Sequence, residues 1–196
     1  HAVVHHLIAT VTRCAEMRTS VARPDLLLLA ALYHDIGKGY GRPHAQVGAE
    51  MITRQAARMR LSVADRSRAQ TLVAEHTTLA RLAATMDPAS DAARDALLAA
   101  AHYDQLTISL LAVLAEADAQ STGPGVWTLR VEQAQKLIVA RALEALKPRV
   151  LSRPAMHVPL SSEGVALKVD WEDQEVTVSW CGSSKGELKR IFALLS

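Results

Sequence analysis

The stretch from Leu26 to Leu32 is apolar on every side of a helical turn. A helix with no polar face is expected to be buried all round. The run is far short of the ~20 apolar residues that cross a bilayer, so its burial must be against other parts of the protein. Pro24 stands where a helix favours proline, at its first position. The run then ends on His34 and Asp35, ahead of the turn-rich stretch Gly37-Lys38-Gly39-Tyr40-Gly41-Arg42-Pro43. Whatever fold surrounds this segment must take a histidine and a carboxylate towards its interior.

Of the 196 residues, 49% are hydrophobic and only 4% aromatic, with Ala and Leu dominant, which favours packed helices over a β-sandwich. The length suffices for one full domain and a small appendage. A net charge of +2 is too weak to indicate nucleic acid or an anionic membrane as partner. Arg54, Arg58, Arg60, Arg66 and Arg68 read as a solvated helix face. Cys14 and Cys181 form no CxxC pair and read as free thiols in a reducing cytoplasm. No secretory signal is evident. The chain starts on His1 and stops at Leu195-Ser196, as a piece excised from a longer protein would.

Periodicity predicts a bundle. Residues 1 to about 18 form a helix with Val4, Leu7, Ile8, Val11 and Ala15 on its apolar stripe. Further helices are expected at 24–35, 44–59, from an N-cap at Ser62 through His76, at 92–103, 106–119 and 131–146. Asp87 to Asp91 reads as a loop, and Gly123-Pro124-Gly125 breaks the chain. Pro148, Pro154 and Pro159 then mark a boundary, after which the period changes from 3.6 to 2. Val165 to Glu172 and Val176 to Trp180 alternate as two strands of a hairpin turning near Asp173-Gln174. Leu188, Ile191, Phe192 and Leu195 make a last helical stripe. The division is 1–147, a linker at 148–162, and a β-β-α piece at 163–196.

Within the bundle, Asp118 shares a face with Leu111, Leu114 and Ala115. A carboxylate there is costly unless a cation pairs with it. Asp104 carries less weight, because it falls near a helix start. His34 and Asp35 are compatible with a hydrogen-bonded core pair, or with mixed N and O ligands of one cation. His76 lies four residues after Leu72 on the same helix side, and His44 follows the glycine-rich turn. Each alone reads as an ordinary histidine; together with Asp118 they suit a metal site in a bundle core. His6 sits opposite the apolar stripe of the first helix and qualifies only if that face looks into a cleft.

Leu32-Tyr33-His34-Asp35-Ile36-Gly37-Lys38-Gly39 resembles the signature of HD-type metal-dependent phosphohydrolases. Ala115-Glu116-Ala117-Asp118, with Thr122-Gly123-Pro124 and Trp127 beyond it, resembles the HD domain of bifunctional uridylyltransferase/uridylyl-removing enzymes. The likeness runs from about His6 to Leu146. It implies a mainly α, HD-type helical bundle. His6, His34, Asp35 and Asp118 would match the core ligands, and His44 and His76 the added histidines of the dinuclear branch. Asp35 would bridge two cations and Lys38 would sit near the substrate phosphate, so that these two carry the catalysis. One or two divalent ions are implied, of Mn, Mg, Fe, Co or Zn. The implied reaction removes UMP (or AMP) from the modified PII nitrogen-signalling protein.

Departures from the pattern are the pair Glu75-His76, where the family often has two histidines, and Val4-His5, where an acidic residue usually precedes His6. Glu75 is a further candidate ligand. The tail resembles the start of an ACT domain, with Val176 to Cys181 as strand and Gly186 to Leu195 as helix. Cut there, it is not expected to bind glutamine, an effector only of the full-length protein. The family's nucleotidyltransferase domain is not within these 196 residues, so no transferase activity is expected of them. Two other readings stay open: an HD nucleotidase acting on a free nucleotide, and a non-catalytic metal- or nucleotide-binding regulatory module.

Overall fold

The structure, a computed structural model, describes residues 2–147, 166–172 and 175–181. The chain divides into two compact units, His1–Lys147 and Pro148–Ser196. The first is all helical. It holds α1 (Ala2–Glu16), a 3-10 turn (Arg18–Ser20), α2 (Pro24–Tyr33), α3 (His44–Arg58), α4 (Val63–Ala74), α5 (Thr78–Thr85), α6 (Asp91–Ala100), α7 (Gln105–Thr122) and α8 (Leu129–Ala145). In the second, β1 (Ala166–Glu172) and β2 (Glu175–Cys181) pair antiparallel, with Ala166 opposite Cys181 and Glu172 opposite Glu175. The linker and the helical stripe ending at Leu195 lie outside the described residues. Among the described residues no single helix is long and apolar enough to cross a membrane.

α2 is the centre of the bundle and touches α1, α3, α4 and α7. Leu26, Leu27, Ala30 and Ala31 are buried, but the all-round burial expected of this helix is incomplete: Leu28 and Leu29 are half-buried and Leu32 is 48% exposed. Leu28 and Leu32 are one turn apart, so a single flank of the helix is left partly uncovered. α7 crosses behind it and buries Ile108, Leu110, Leu111 and Leu114. α8 closes the far side against α5, α6 and α7, with Ile138 and Ala142 turned in.

Three further expectations are corrected. First, α1 buries Leu7, Thr10 and Cys14, whereas Val4 and Ile8 are 58% and 60% exposed. The polar Thr10 tolerates burial because its hydroxyl donates to the His6 carbonyl, at 3.0 Å. A buried polar residue hid the true face from a hydrophobicity count. Second, the helix from Ser62 does not carry His76. It ends at Ala74, and a turn separates it from α5, a helix that the periodicity did not set apart. Third, the helix expected to reach Tyr103 stops at Ala100, because His102 and Tyr103 adopt left-handed backbone (φ 52° and 58°).

That turn leads into Asp104, the N-cap of α7. Its carboxylate accepts from the Thr107 backbone N–H at 2.9 Å and the Thr107 hydroxyl at 2.7 Å. Arg68 of α4 donates to both oxygens, and it also pairs with Asp65, which Arg23 reaches from before α2. The network laces α2, α4 and α7 together. Hydrogen bonding from Arg68, and then from Thr107, lowers the Asp104 pKa from 3.8 to about 2 against the opposing effect of burial.

A depressed folded-state pKa gives stability that is complete above the unfolded value and is lost as pH falls through the folded one. Asp104→Asn keeps a capping side chain but removes the charge. It is expected to cost about 0.5–1 kcal/mol at pH 7, a small figure because solvent screens a pair this exposed. In urea titrations the gap between wild type and variant should hold down to about pH 4, shrink as pH falls towards 2 and vanish only below it. A gap unchanged at pH 2 would show that charge at Asp104 is not its source.

Candidate metal centre

Two helices deliver histidines by the same local device. At the end of α2, His34 Nδ1 donates to the Ala31 carbonyl at 2.8 Å. Past the end of α4, His76 Nδ1 donates to the Val73 carbonyl, also at 2.8 Å. Carbonyls in a last helical turn lack partners within the helix and accept from donors beyond its end. With Nδ1 protonated and engaged, each imidazole in its neutral form presents an Nε2 lone pair on its other side. Both rings are buried.

Those Nε2 atoms meet others. His6 Nε2, from α1, lies 3.2 Å from His34 Nε2 and 2.9 Å from Asp118 Oδ1 of α7. His44 Nε2, from the first residue of α3, lies 3.4 Å from His76 Nε2. The four rings run His6, His34, His76, His44, edge to face, with centroids 5.2 Å apart at each step. Asp35 stands between the two pairs. Its Oδ2 is 3.5 Å from His6 Nε2 and 3.7 Å from His34 Nε2. Its Oδ1 is 3.4 Å from His44 Nε2 and 3.8 Å from His76 Nε2.

The residues named from sequence therefore converge in two groups: His6, His34 and Asp118, and Asp35, His44 and His76. Donor atoms within each lie within 4.8 Å of one another. The donor chemistry fits divalent cations. Facing lone pairs repel, and a cation among them turns that repulsion into attraction; mixed imidazole and carboxylate donors suit several such ions.

His6 departs from its expected setting, since it lies on the inward side of α1 beside the cleft. Lys38 departs too: its ammonium pairs with Asp35 Oδ2, on the carboxylate itself. Glu75, the further candidate ligand, accepts from the Thr78 hydroxyl, joining the end of α4 to α5, and belongs to neither group. Electrostatics follow the burial. Burial disfavours a charged His34, yet Asp118 beside it and the Ala31 carbonyl prevail, and its pKa is raised. Burial lowers that of His76. Burial would raise the Asp118 pKa, but the imidazoles of His34, His6 and His76 beside it hold it down.

The groups open into a cleft of about 680 Å³. His5, Thr77, Ser121 and Thr122 also line it and were not singled out as site residues. A signal existed: Ser121 and Thr122 follow Asp118 by three and four positions, which puts all three on one helix face.

The sequence model of the HD domain matches residues 3–122. The chain belongs to the HD-domain family. It is accordingly a metal-dependent phosphohydrolase. A bifunctional uridylyltransferase/uridylyl-removing enzyme of Corynebacterium glutamicum is 50% identical over 97% of this chain and 26% of its own length. Enzymes of the same name from Mycobacterium tuberculosis and Streptomyces coelicolor are 40% and 42% identical over 64% of this chain, and 16% and 15% of theirs. The chain thus spans about a quarter or less of the length of these relatives.

Gly37 fixes how α3 approaches Asp35. A Cβ there would fall 2.2 Å from the His44 carbonyl oxygen and 2.8 Å from Val47 Cβ. Because backbone must yield, Gly37→Ala should displace the first turn of α3 and His44 with it, at about 1–3 kcal/mol. Elemental analysis should find less metal per chain than in wild type, with helical circular dichroism retained. Full metal content in the variant would overturn the role of Gly37 in placing His44 at the centre.

Proposed function

We propose that this chain is a phosphodiesterase that removes UMP, or AMP, from nucleotidylated PII protein. The observation that carries the proposal is Asp35, whose two oxygens each face a separate pair of histidine Nε2 atoms. The 50% identity to an enzyme named for uridylyl removal supports the choice of substrate. In this reading His6, His34 and Asp118 would hold one cation, and Asp35, His44 and His76 a second. Such ions would acidify a coordinated water and offset charge on the phosphoryl group.

The chain's own residues do the rest. The Ala31 and Val73 carbonyls fix the His34 and His76 rings, so little reorganisation is needed on binding. Lys38, about half exposed at the cleft, can turn its ammonium from Asp35 to a non-bridging phosphate oxygen. The water oxygen forms the new bond to phosphorus as the bond to the tyrosyl oxygen breaks. A tyrosine leaving group has a pKa of about 10, which makes a dedicated proton donor less necessary than for an alkyl ester. The finer architecture belongs to the same proposal: an HD domain at 1–147, a linker at 148–162, and the start of an ACT-like module at 163–196, whose strands the β1–β2 hairpin supports. Glutamine control then belongs to the full-length protein, and the location is cytoplasmic.

The test is release of UMP from uridylylated PII by the chain supplied with Mn. Asp35→Ala should abolish both activity and metal content. Lys38→Ala should keep the metal and lose about 10²–10³-fold in kcat, as for removal of one charge-stabilising group. Hydrolysis of free nucleoside triphosphates in preference to modified PII would favour the free-nucleotide reading. A folded, metal-loaded chain that hydrolyses neither would leave a regulatory module.

A further inference from the structure

Between α1 and α7 the cleft has a wall that the metal chemistry does not use. His5 projects from α1 beside His6, and Ser121 and Thr122 end α7 one turn beyond Asp118. The hydroxyl protons of both are committed: Ser121 donates to the Ala117 carbonyl at 2.7 Å and Thr122 to the Asp118 carbonyl at 2.9 Å. Towards the cleft these two oxygens can only accept. A ligand group meeting them must carry its own O–H or N–H. Ionised phosphate oxygens have none to give. Lys38 is the one lysine or arginine in the cleft lining among the described residues, and it belongs to the Asp35 side. A chain of phosphates extending along the α1–α7 wall would meet acceptors and no permanent cation.

We infer that His5, Ser121 and Thr122 form the subsite for the nucleoside half of the phosphodiester, reading donor groups on its sugar or base. The inference rests on the phosphodiesterase reading above and extends it to specificity. The next residue, Gly123, ends α7 with a φ of 152°, and among the described residues none beyond Thr122 lines the cleft. Val3 and Ala9, on the same side of α1, supply apolar contact beside the acceptors.

The experiment is calorimetric binding of uridine 5′-monophosphate and of methyl phosphate to the Mn-loaded chain. Wild type should bind the nucleotide about 10-fold more tightly than methyl phosphate. His5→Ala, Ser121→Ala and Thr122→Val should each weaken the nucleotide by about 3–10-fold, the effect of one lost hydrogen bond, and leave methyl phosphate unchanged. Thr122→Ser should restore wild-type affinity, which separates the acceptor from a packing effect. Equal binding of the two ligands by wild type, or equal weakening of both in the variants, overturns the subsite. Turnover of uridylylated PII, measured alongside, distinguishes the two readings. Discriminating binding without turnover sinks the PII substrate and keeps the subsite, whereas turnover without discrimination does the reverse.

Discussion

The Asp35 carboxylate is nearly buried, and its two oxygens face different histidine pairs. A buried carboxylate is tolerable only with positive charge close by. Lys38 supplies some of it on one oxygen. The remaining neighbours are imidazoles, two of them with Nδ1 already donating to backbone. This concentration of acceptors is what makes the centre a place for cations, and the bundle is arranged to hold it. α2 brings Asp35 to the middle, α1 and α7 supply His6 and Asp118 on one side, and α3 and the turn after α4 supply His44 and His76 on the other.

That arrangement depends on close backbone approach as much as on side chains. A Cβ on Gly48 would lie 2.8 Å from the Tyr33 carbonyl and 2.9 Å from Val73 Cγ1. Gly48 therefore lets α3 sit against the end of α2 and against α4 at once. With Gly37, it sets the distance across which Asp35, His44 and His76 meet. The ion network at Asp104, Arg68, Asp65 and Arg23 ties the same helices together without taking part in the chemistry.

Much of this was legible in the sequence, for identifiable reasons. The apolar run ending on His34 and Asp35 could only bring those residues inward. Ser62 and Asp104 stood at helix starts and serve there as caps. Asp118 was conspicuous because Leu111, Leu114 and Ala115 precede it on its face. The failures share a cause, which is that periodicity measures hydrophobicity and not burial. Thr10, satisfied by its own helix, is buried while Ile8 is not, and the true orientation of His6 was lost with it. His76 was placed on a helix because nothing in Glu75-His76-Thr77 announces a break. The hydrogen bond of the Thr78 hydroxyl to Glu75, which ties α5 to the end of α4, is a three-dimensional fact.

The position of His76 outside its helix is itself explained by the chemistry. Within a helix, the Val73 carbonyl would receive the backbone N–H of residue 77 and could not be reserved for an imidazole. At a helix end the carbonyl is free, and a histidine three residues on can reach it. His34 and Ala31 repeat the geometry at the end of α2. Both ends also direct the negative pole of their helices towards the centre, which favours positive charge there. A ligand at a helix terminus thus gains a fixed tautomer and a favourable field together, which a ligand in mid-helix does not. The two most deeply buried histidines of the site are the two held in this way.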